Sequence, residues 1–336
     1  MLKVGIIGFG GMGHFHASQY PQIPGAELVA VADIRPEQLS AASLQINLGA
    51  SGVCDLSKAR TYGSGDELLA KEKLDVVDIC LPTDLHAEYA VKALRAGCHV
   101  ISEKPMARTL READLMLKAA RAAGRQLMIA QCLRFWPVYE RVREAHRSGE
   151  FGRLLMVSMR RVSPTPGWGG AKSWFADGKR SGGALLDMHI HDTDFANWLL
   201  GVPAAVATSG APFRTGAIDN AVTHYLYENG PVVTGETSWG YGAGFHSALC
   251  AIFENATIET GYRSGDVTLA RPGAAVEKLE LPAKDPYREE IAYFLACIRE
   301  GREPENCTPF STRETMRIAL AEERSALAGG KRVTLK

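Results

Sequence analysis

Glu103-Lys104-Pro105 follows the apolar run 98–102, so a cationic side chain stands where a buried-looking strand ends. Proline keeps the residue before it out of the helical region, and this fixes the direction of Lys104. A lysine taken at random is a solvated surface charge. One held at the carboxyl end of a strand is a candidate for proton transfer, because a neighbouring cation makes an amine release its proton more readily. Downstream, Asp187, His191 and Asp194 are spaced i, i+4 and i+7, which places them on one face of a helix. Apolar residues surround them (Leu185, Leu186, Met188, Ile190, Phe195, Leu199), so the polar stripe faces either solvent or a cleft. In that arrangement Asp187 accepts a hydrogen bond from the imidazole and orients it. His191, with a side-chain pKa of about 6.5, then takes the proton of an alcohol as its hydride leaves. His189 and His191 form an HxH pair, but residues two apart on a helix point about 200° apart. No metal site is expected.

Gly8-Phe9-Gly10-Gly11-Met12-Gly13 fits GxGxxG, after a first strand and opening a helix. The first glycine permits the tight turn, the second a close approach to a pyrophosphate, and the third close packing of helix on strand. The helix N-terminus offers N–H groups to phosphates. Asp33 ends the second strand, about twenty residues past Gly13, where an acid meets ribose hydroxyls. Its charge favours NAD over NADP, while Arg35 softens the preference. The expected cofactor contacts are Gly8, Phe9, Gly10, Gly11, Met12, Gly13, Asp33, Ile34, Arg35, Leu81, Pro82, Thr83, His86, Glu103 and Lys104.

These residues need elements to hold them. Strands are expected at 4–7, 28–32, 76–81, 99–102 and 126–130, with helices such as 88–96 and 110–123 between them. That alternation implies right-handed βαβ units and a parallel sheet of the Rossmann type. Residues 48–65 are Gly- and Ser-rich and read as a surface insertion with a short strand near Thr61-Tyr62. Beyond residue 128 a helix, 138–147, leads to a strand, 154–162, and a Gly/Pro/Trp-rich loop to one helix, 184–200. Strands at 205–209, 221–228, 232–239, 247–253 and 257–262 follow without helices between them, which argues for a mainly antiparallel sheet. Strand 221–228 carries apolar or aromatic residues on both faces, Val222 and Leu226 on one and Tyr225 and Tyr227 on the other, as a subunit contact would require. Helices at 288–300 and 311–328 close the chain.

The fold class expected is therefore α/β. A dinucleotide-binding domain spans 1–128, and a substrate-binding and oligomerisation domain with a large open sheet spans 129–336. At 336 residues and 46% hydrophobic, the chain can bury two such cores. Lys+Arg 38 balances Asp+Glu 38, with no basic patch or tail for a nucleic-acid or membrane partner. There is no apolar run of about eighteen residues and no signal-peptide pattern. The 7 cysteines lack a CxxC pair, in keeping with reduced thiols and a cytoplasmic location.

The glycine fingerprint, Leu81-Pro82-Thr83 with His86, Glu103-Lys104-Pro105, and Asp187-x-x-x-His191-x-x-Asp194 after Gly182-Gly183 together resemble the Gfo/Idh/MocA family, the glucose–fructose oxidoreductase and inositol dehydrogenase group. The resemblance spans nearly the whole chain. It implies NAD(P)-dependent oxidation or reduction of sugars, polyols and related cyclic alcohols, and a homodimer or homotetramer built through the open sheet. It also implies that Lys104 binds and polarises the reacting oxygen, that His191 is the acid/base and Asp187 its assistant, and that the Lys104-Pro105 bond is cis. Arg134, Trp136, Lys172 and Trp174 are the residues it points toward the substrate. Two other readings stay open: a glycoside-cleaving enzyme that uses tightly bound NAD transiently, and a non-catalytic dinucleotide or sugar sensor.

Overall fold

In the structure, a computed structural model, residues 1–40, 45–46, 49–50, 55–167, 173–261 and 265–335 are described. Lys172 and part of the 48–65 insertion lie outside them. The chain forms two compact units, one from 1–132 and 285–313, the other from 133–284 and 314–336.

Among the described residues, the main sheet of the first unit has six strands: β1 (Leu2–Ile7), β2 (Ala26–Ala32), β3 (Arg60–Tyr62), β4 (Val76–Ile79), β5 (His99–Glu103) and β6 (Leu127–Ala130). They run parallel in the order β3-β2-β1-β4-β5-β6. Strand order reverses between β1 and β4, and at such a switch point a parallel sheet opens a crevice at its carboxyl ends. The connections include α1 (Gly11–Gln19), α2 (Gly65–Lys71), α3 (Thr83–Arg95) and α4 (Leu110–Ala123). Sequence chemistry fixes the ends of α4: Thr109 and Glu112 form a reciprocal capping box and Gly124, at φ 58°, closes the helix. A late segment returns to this unit. Asp285 caps the helix Pro286–Glu300, and Ile291, Phe294 and Leu295 on that helix join the core of Val4, Ile6, Val76 and Ile101. Each such buried side chain contributes roughly 1.5–3 kcal/mol.

The second unit holds α5 (Pro137–Ser148), β7 (Leu154–Val162), α6 (Gly183–Asp187), α7 (Ile190–Leu200), β8 (Ala205–Pro212), β9 (Ile218–Leu226), β10 (Val232–Ser238), β11 (His246–Phe253), β12 (Thr257–Thr260), β13 (Val267–Ala270), β14 (Glu277–Lys278) and β15 (Val333–Thr334). Its nine strands lie in the order β14-β13-β12-β11-β7-β10-β9-β8-β15. All neighbours are antiparallel except β7 with β10. Along β9, Ala221, Thr223 and Tyr225 are buried while Val222 and His224 are exposed, the period-2 pattern of a sheet with one face covered. Among the described residues no helix is long and apolar enough to cross a membrane.

The single helix expected over 184–200 is two. It breaks at Met188 and His189, where the His189 N–H donates to Ala184 O across an extra residue, at 2.8 Å. Asp187 and His191 therefore belong to different helices.

Candidate active site

Local backbone chemistry builds the glycine loop between β1 and α1. A Cβ on Gly8, which sits at φ 93°, would come 2.5 Å from the Cys80 carbonyl oxygen, and one on Gly13 would come 2.1 Å from the Gly8 oxygen. Among the described residues, a Cβ on Gly10 would meet only Arg35 Nη2, at 3.6 Å. The first and third glycines thus serve packing, and the second leaves a face open. Gly10 is also the N-cap of α1 and offers no capping side chain, and the first turn carries no acid. Its N–H groups suit an anion. Asp33 follows β2, its carboxylate accepting from the Phe9 and Arg35 N–H groups at 2.8 Å each. An open middle glycine, an uncapped helix end and an acid beside the loop fit a dinucleotide.

After β4, Leu81 and Pro82 lead into α3, which starts at Thr83 with its Oγ1 buried and without a hydrogen-bond partner among the described residues. Ile34 is 78% exposed. His86 departs from the expected cofactor contact. It is buried, and its ring spans two carbonyls, Pro105 O at 2.8 Å and Leu81 O at 2.7 Å. Its work is to tie the loop after β4 to the loop after β5.

Lys104 stands just past β5, and the Lys104-Pro105 bond is cis. In the run 100–107 every residue is buried except Lys104. The strand-end placement read from sequence is the one observed.

The second unit shows the same pattern. From 181 to 197 every residue is buried except Asp187 and His191. Gly182 and Gly183 start this segment at φ 81° and 69°, and a Cβ on Gly183 would come 2.7 Å from Ile218 O, so the close approach to β9 requires glycine. The neighbours of His191 are locked from beneath. Asp192 meets Arg161 at 3.0 and 3.1 Å, and Arg161 also donates to the Tyr139 hydroxyl. Burial would raise the Asp192 carboxyl, but Arg161 and His189 hold it below its ordinary value. His189 Nε2 lies 3.0 Å from the Tyr225 hydroxyl.

Two expectations are corrected here. Asp194 does not share an open polar stripe with Asp187 and His191: it is fully buried. Arg134, expected to face substrate, is 1% exposed and holds Asp194 with both arms of its guanidinium. The motif's third acid anchors α7, because a buried carboxylate needs a partner. Trp136 is the half-buried N-cap residue of α5, and Trp174 stacks on Phe175 with centroids 3.9 Å apart. Sequence reasoning missed His16 and Asp78, which meet in the first unit at 3.0 Å. The signal was an acid inside the apolar run 76–81, in a strand type buried on both faces.

Comparison with known proteins agrees with this geometry. Residues 2–131 match the model described as "Oxidoreductase family, NAD-binding Rossmann fold", and residues 139–259 match the "GFO/IDH/MocA C-terminal domain". The myo-inositol 2-dehydrogenase of Thermotoga maritima is 26% identical, over 90% of this chain and 90% of its own. The D-glucoside 3-dehydrogenase of Escherichia coli is 36% identical over 63% of this chain and 58% of its own. A solved structure, the WlbA dehydrogenase from Bordetella pertussis in complex with NADH and UDP-GlcNAcA, is 24% identical with a TM-score of 0.83, covering 100% of this chain and 98% of that one; it shows the shared fold. Matched over both of its domains, the chain belongs to the Gfo/Idh/MocA family of oxidoreductases and carries that family's NAD-binding Rossmann fold.

Proposed function

We propose that this protein is a cytoplasmic, homo-oligomeric dehydrogenase that interconverts a hydroxyl and a carbonyl on a sugar, polyol or related cyclic alcohol. One observation carries the reading: in two otherwise buried runs, only Lys104, Asp187 and His191 keep exposed surface. Side chains that fold into the core pack; those left open on a rigid frame act on what binds there. Relatives named for myo-inositol and D-glucoside support the substrate class.

The first unit holds the dinucleotide, with Gly10 and the α1 N-terminus at the diphosphate, Asp33 at the adenosine ribose, and Leu81, Pro82 and Thr83 along the crevice. When bound, NAD supplies the hydride acceptor. Lys104 donates to the reacting oxygen and holds it. His191 takes the hydroxyl proton during oxidation and returns it during reduction, and Asp187 assists it. The second unit supplies the substrate-binding surface, with Trp136, Trp174 and Lys172 as the remaining candidate contacts. The uncovered face of its sheet, with Val222 42% exposed, serves the subunit contact.

The test is a panel of inositols, methyl glucosides, aldoses and sugar acids, offered with NAD and separately with NADP, with reduced-nicotinamide absorbance as readout. Turnover confined to one class of cyclic alcohol, faster with NAD, is the expected result. A protein that binds NAD tightly but reduces none of it across the panel argues against the reading.

A further inference from the structure

The His16 imidazole lies fully buried on α1, with a carboxylate at each nitrogen. Nδ1 is 3.0 Å from Asp78 Oδ2, and Nε2 is 3.1 Å from Glu103 Oε1. The first contact is a hydrogen bond. The second is an ion-pair contact out of line with the ring N–H. A neutral imidazole has one N–H and one lone pair, so it would turn a lone pair toward an anion; only the imidazolium suits both sides. Burial alone would lower His16, but the Asp78 carboxylate beside it raises it above its ordinary value. The Tyr20 hydroxyl donates to the same Asp78 oxygen at 2.7 Å.

Glu103 carries this arrangement onward. Its other oxygen, Oε2, accepts from the Lys104 backbone N–H at 3.1 Å. Burial would raise the Glu103 carboxyl, yet His16, and after it Lys104, hold it below its ordinary value. From the other side His86 holds the Pro105 carbonyl. A continuous contact path therefore runs from Tyr20 through Asp78, His16 and Glu103 to the backbone of Lys104, all within the first unit.

Stability is a poor account of this path. Desolvating charges costs several kcal/mol per ion, and well-packed apolar residues commonly do as well or better. Nor do His16, Asp78 and Cys80, whose ligand atoms lie within 4.8 Å of one another, read as a metal site. The imidazolium already supplies the cation there, and burial with Asp78 beside it pushes the Cys80 thiol up, which keeps it protonated. What the path does is fix one carboxylate against one peptide N–H.

We propose that His16 is a positioning residue for Lys104, acting through Glu103 to fix the backbone from which the lysine side chain projects. The proposal rests on the role given to Lys104 above. It is tested with His16→Gln, Lys104→Ala and the double variant, using the panel alcohol with the highest kcat/KM and a parallel NAD titration. A misplaced group costs about a hundredfold in rate, so His16→Gln is expected to lose about tenfold to a hundredfold in kcat with NAD affinity within about threefold. The double variant is expected to be no slower than Lys104→Ala, because the two act as one unit. A readout without turnover accompanies this: the rate of reductive methylation at Lys104, located by mass spectrometry, changes in His16→Gln while that of Lys118 does not.

Wild-type kcat in His16→Gln, or losses that add in the double variant, overturns the positioning role. Lys104→Ala turning over like wild type sinks the proposed function instead, and the methylation rates then still decide whether His16 controls Lys104. Should His16→Gln fail to fold, Asp78→Asn carries the same measurements, since it keeps the shape of the Asp78 contacts and removes the charge that holds the imidazolium.

Discussion

The Arg134 guanidinium grips the Asp194 carboxylate with two hydrogen bonds, 2.8 and 2.6 Å, where neither side chain meets solvent. Thr315 adds a third bond to the same carboxylate at 2.7 Å. Together they pin α7, which presents His191. Arg134→Ala is predicted to destabilise the protein by about 3–5 kcal/mol, because it leaves a buried carboxylate without its countercharge. Arg134→Lys should recover only part of that, since an ammonium cannot make the paired contact. Urea unfolding followed by far-UV dichroism measures both. A loss under about 1 kcal/mol in Arg134→Ala would mean that the pair does not hold the helix.

In the proposed placement of the dinucleotide, the glycine loop separates packing from binding. Gly13→Ala forces a Cβ to within 2.1 Å of Gly8 O, whereas Gly10→Ala meets only Arg35, at 3.6 Å. The prediction is a melting temperature lowered by several degrees for Gly13→Ala, at roughly 1–3 kcal/mol of overpacking. Gly10→Ala should melt close to wild type but bind NAD at least about tenfold more weakly, because its methyl takes space the diphosphate needs. Thermal melts with and without NAD check the pair; equal NAD affinity in Gly10→Ala contradicts the placement of the cofactor.

In the proposed placement of the dinucleotide, Asp33 bears on the choice between NAD and NADP. Its carboxylate holds the Phe9 and Arg35 N–H groups, and the Arg35 side chain, half exposed, pairs with it at 3.5 Å. Asp33→Ser removes the negative charge and frees the arginine. The ratio of kcat/KM for NAD over NADP should then fall by about tenfold or more, the scale of one charged hydrogen bond. An unchanged ratio would show that the acid does not read the ribose.

Glu290 gives a pH signature. It is fully buried, neither carboxyl oxygen has a hydrogen-bond partner among the described residues, and burial followed by the nearby Glu103 raises its carboxyl well above the ordinary range. His16 opposes that rise, while Asp78 and Asp285 add to it. A folded-state value above the unfolded one means that the folded state holds a proton the unfolded chain releases. The associated stability is present below the unfolded value, about 4.3, and is lost as pH rises through the folded value. Glu290→Gln does not titrate. Its stability relative to wild type should therefore increase between pH 5 and pH 8, as urea midpoints at several pH values will show, and a difference independent of pH would refute the assignment.

Much of this was legible in the sequence because period and punctuation agree with the fold. β1, β2, β4, β5 and β6 appeared as apolar runs, and GFGGMG marked the turn where Gly8 and Gly13 are sterically required. The antiparallel texture after residue 204 was equally plain. What escaped was tertiary pairing. The i, i+4, i+7 spacing placed Asp194 beside His191, but spacing says nothing of an arginine sixty residues earlier that draws Asp194 inward. The same spacing assumed a continuous helix, whereas the chain breaks at Met188–His189, where His189 meets Tyr225 on a distant strand. His86 looked like a cofactor contact because it follows a strand end; its two carbonyl partners come from separate loops. The last helices carry no mark saying which unit they join, so the return of 285–313 to the first unit appears only in the contacts.

The central claim is that Lys104 and His191 serve one hydride transfer. The most direct test compares wild type, Lys104→Ala and His191→Ala for reduction of NAD by the best alcohol of the panel, with NAD affinity titrated in each. The account predicts a fall in kcat of about 10²–10⁴ in each variant, with NAD bound by His191→Ala within about threefold of wild type. Turnover that survives in either variant at the wild-type rate would contradict it.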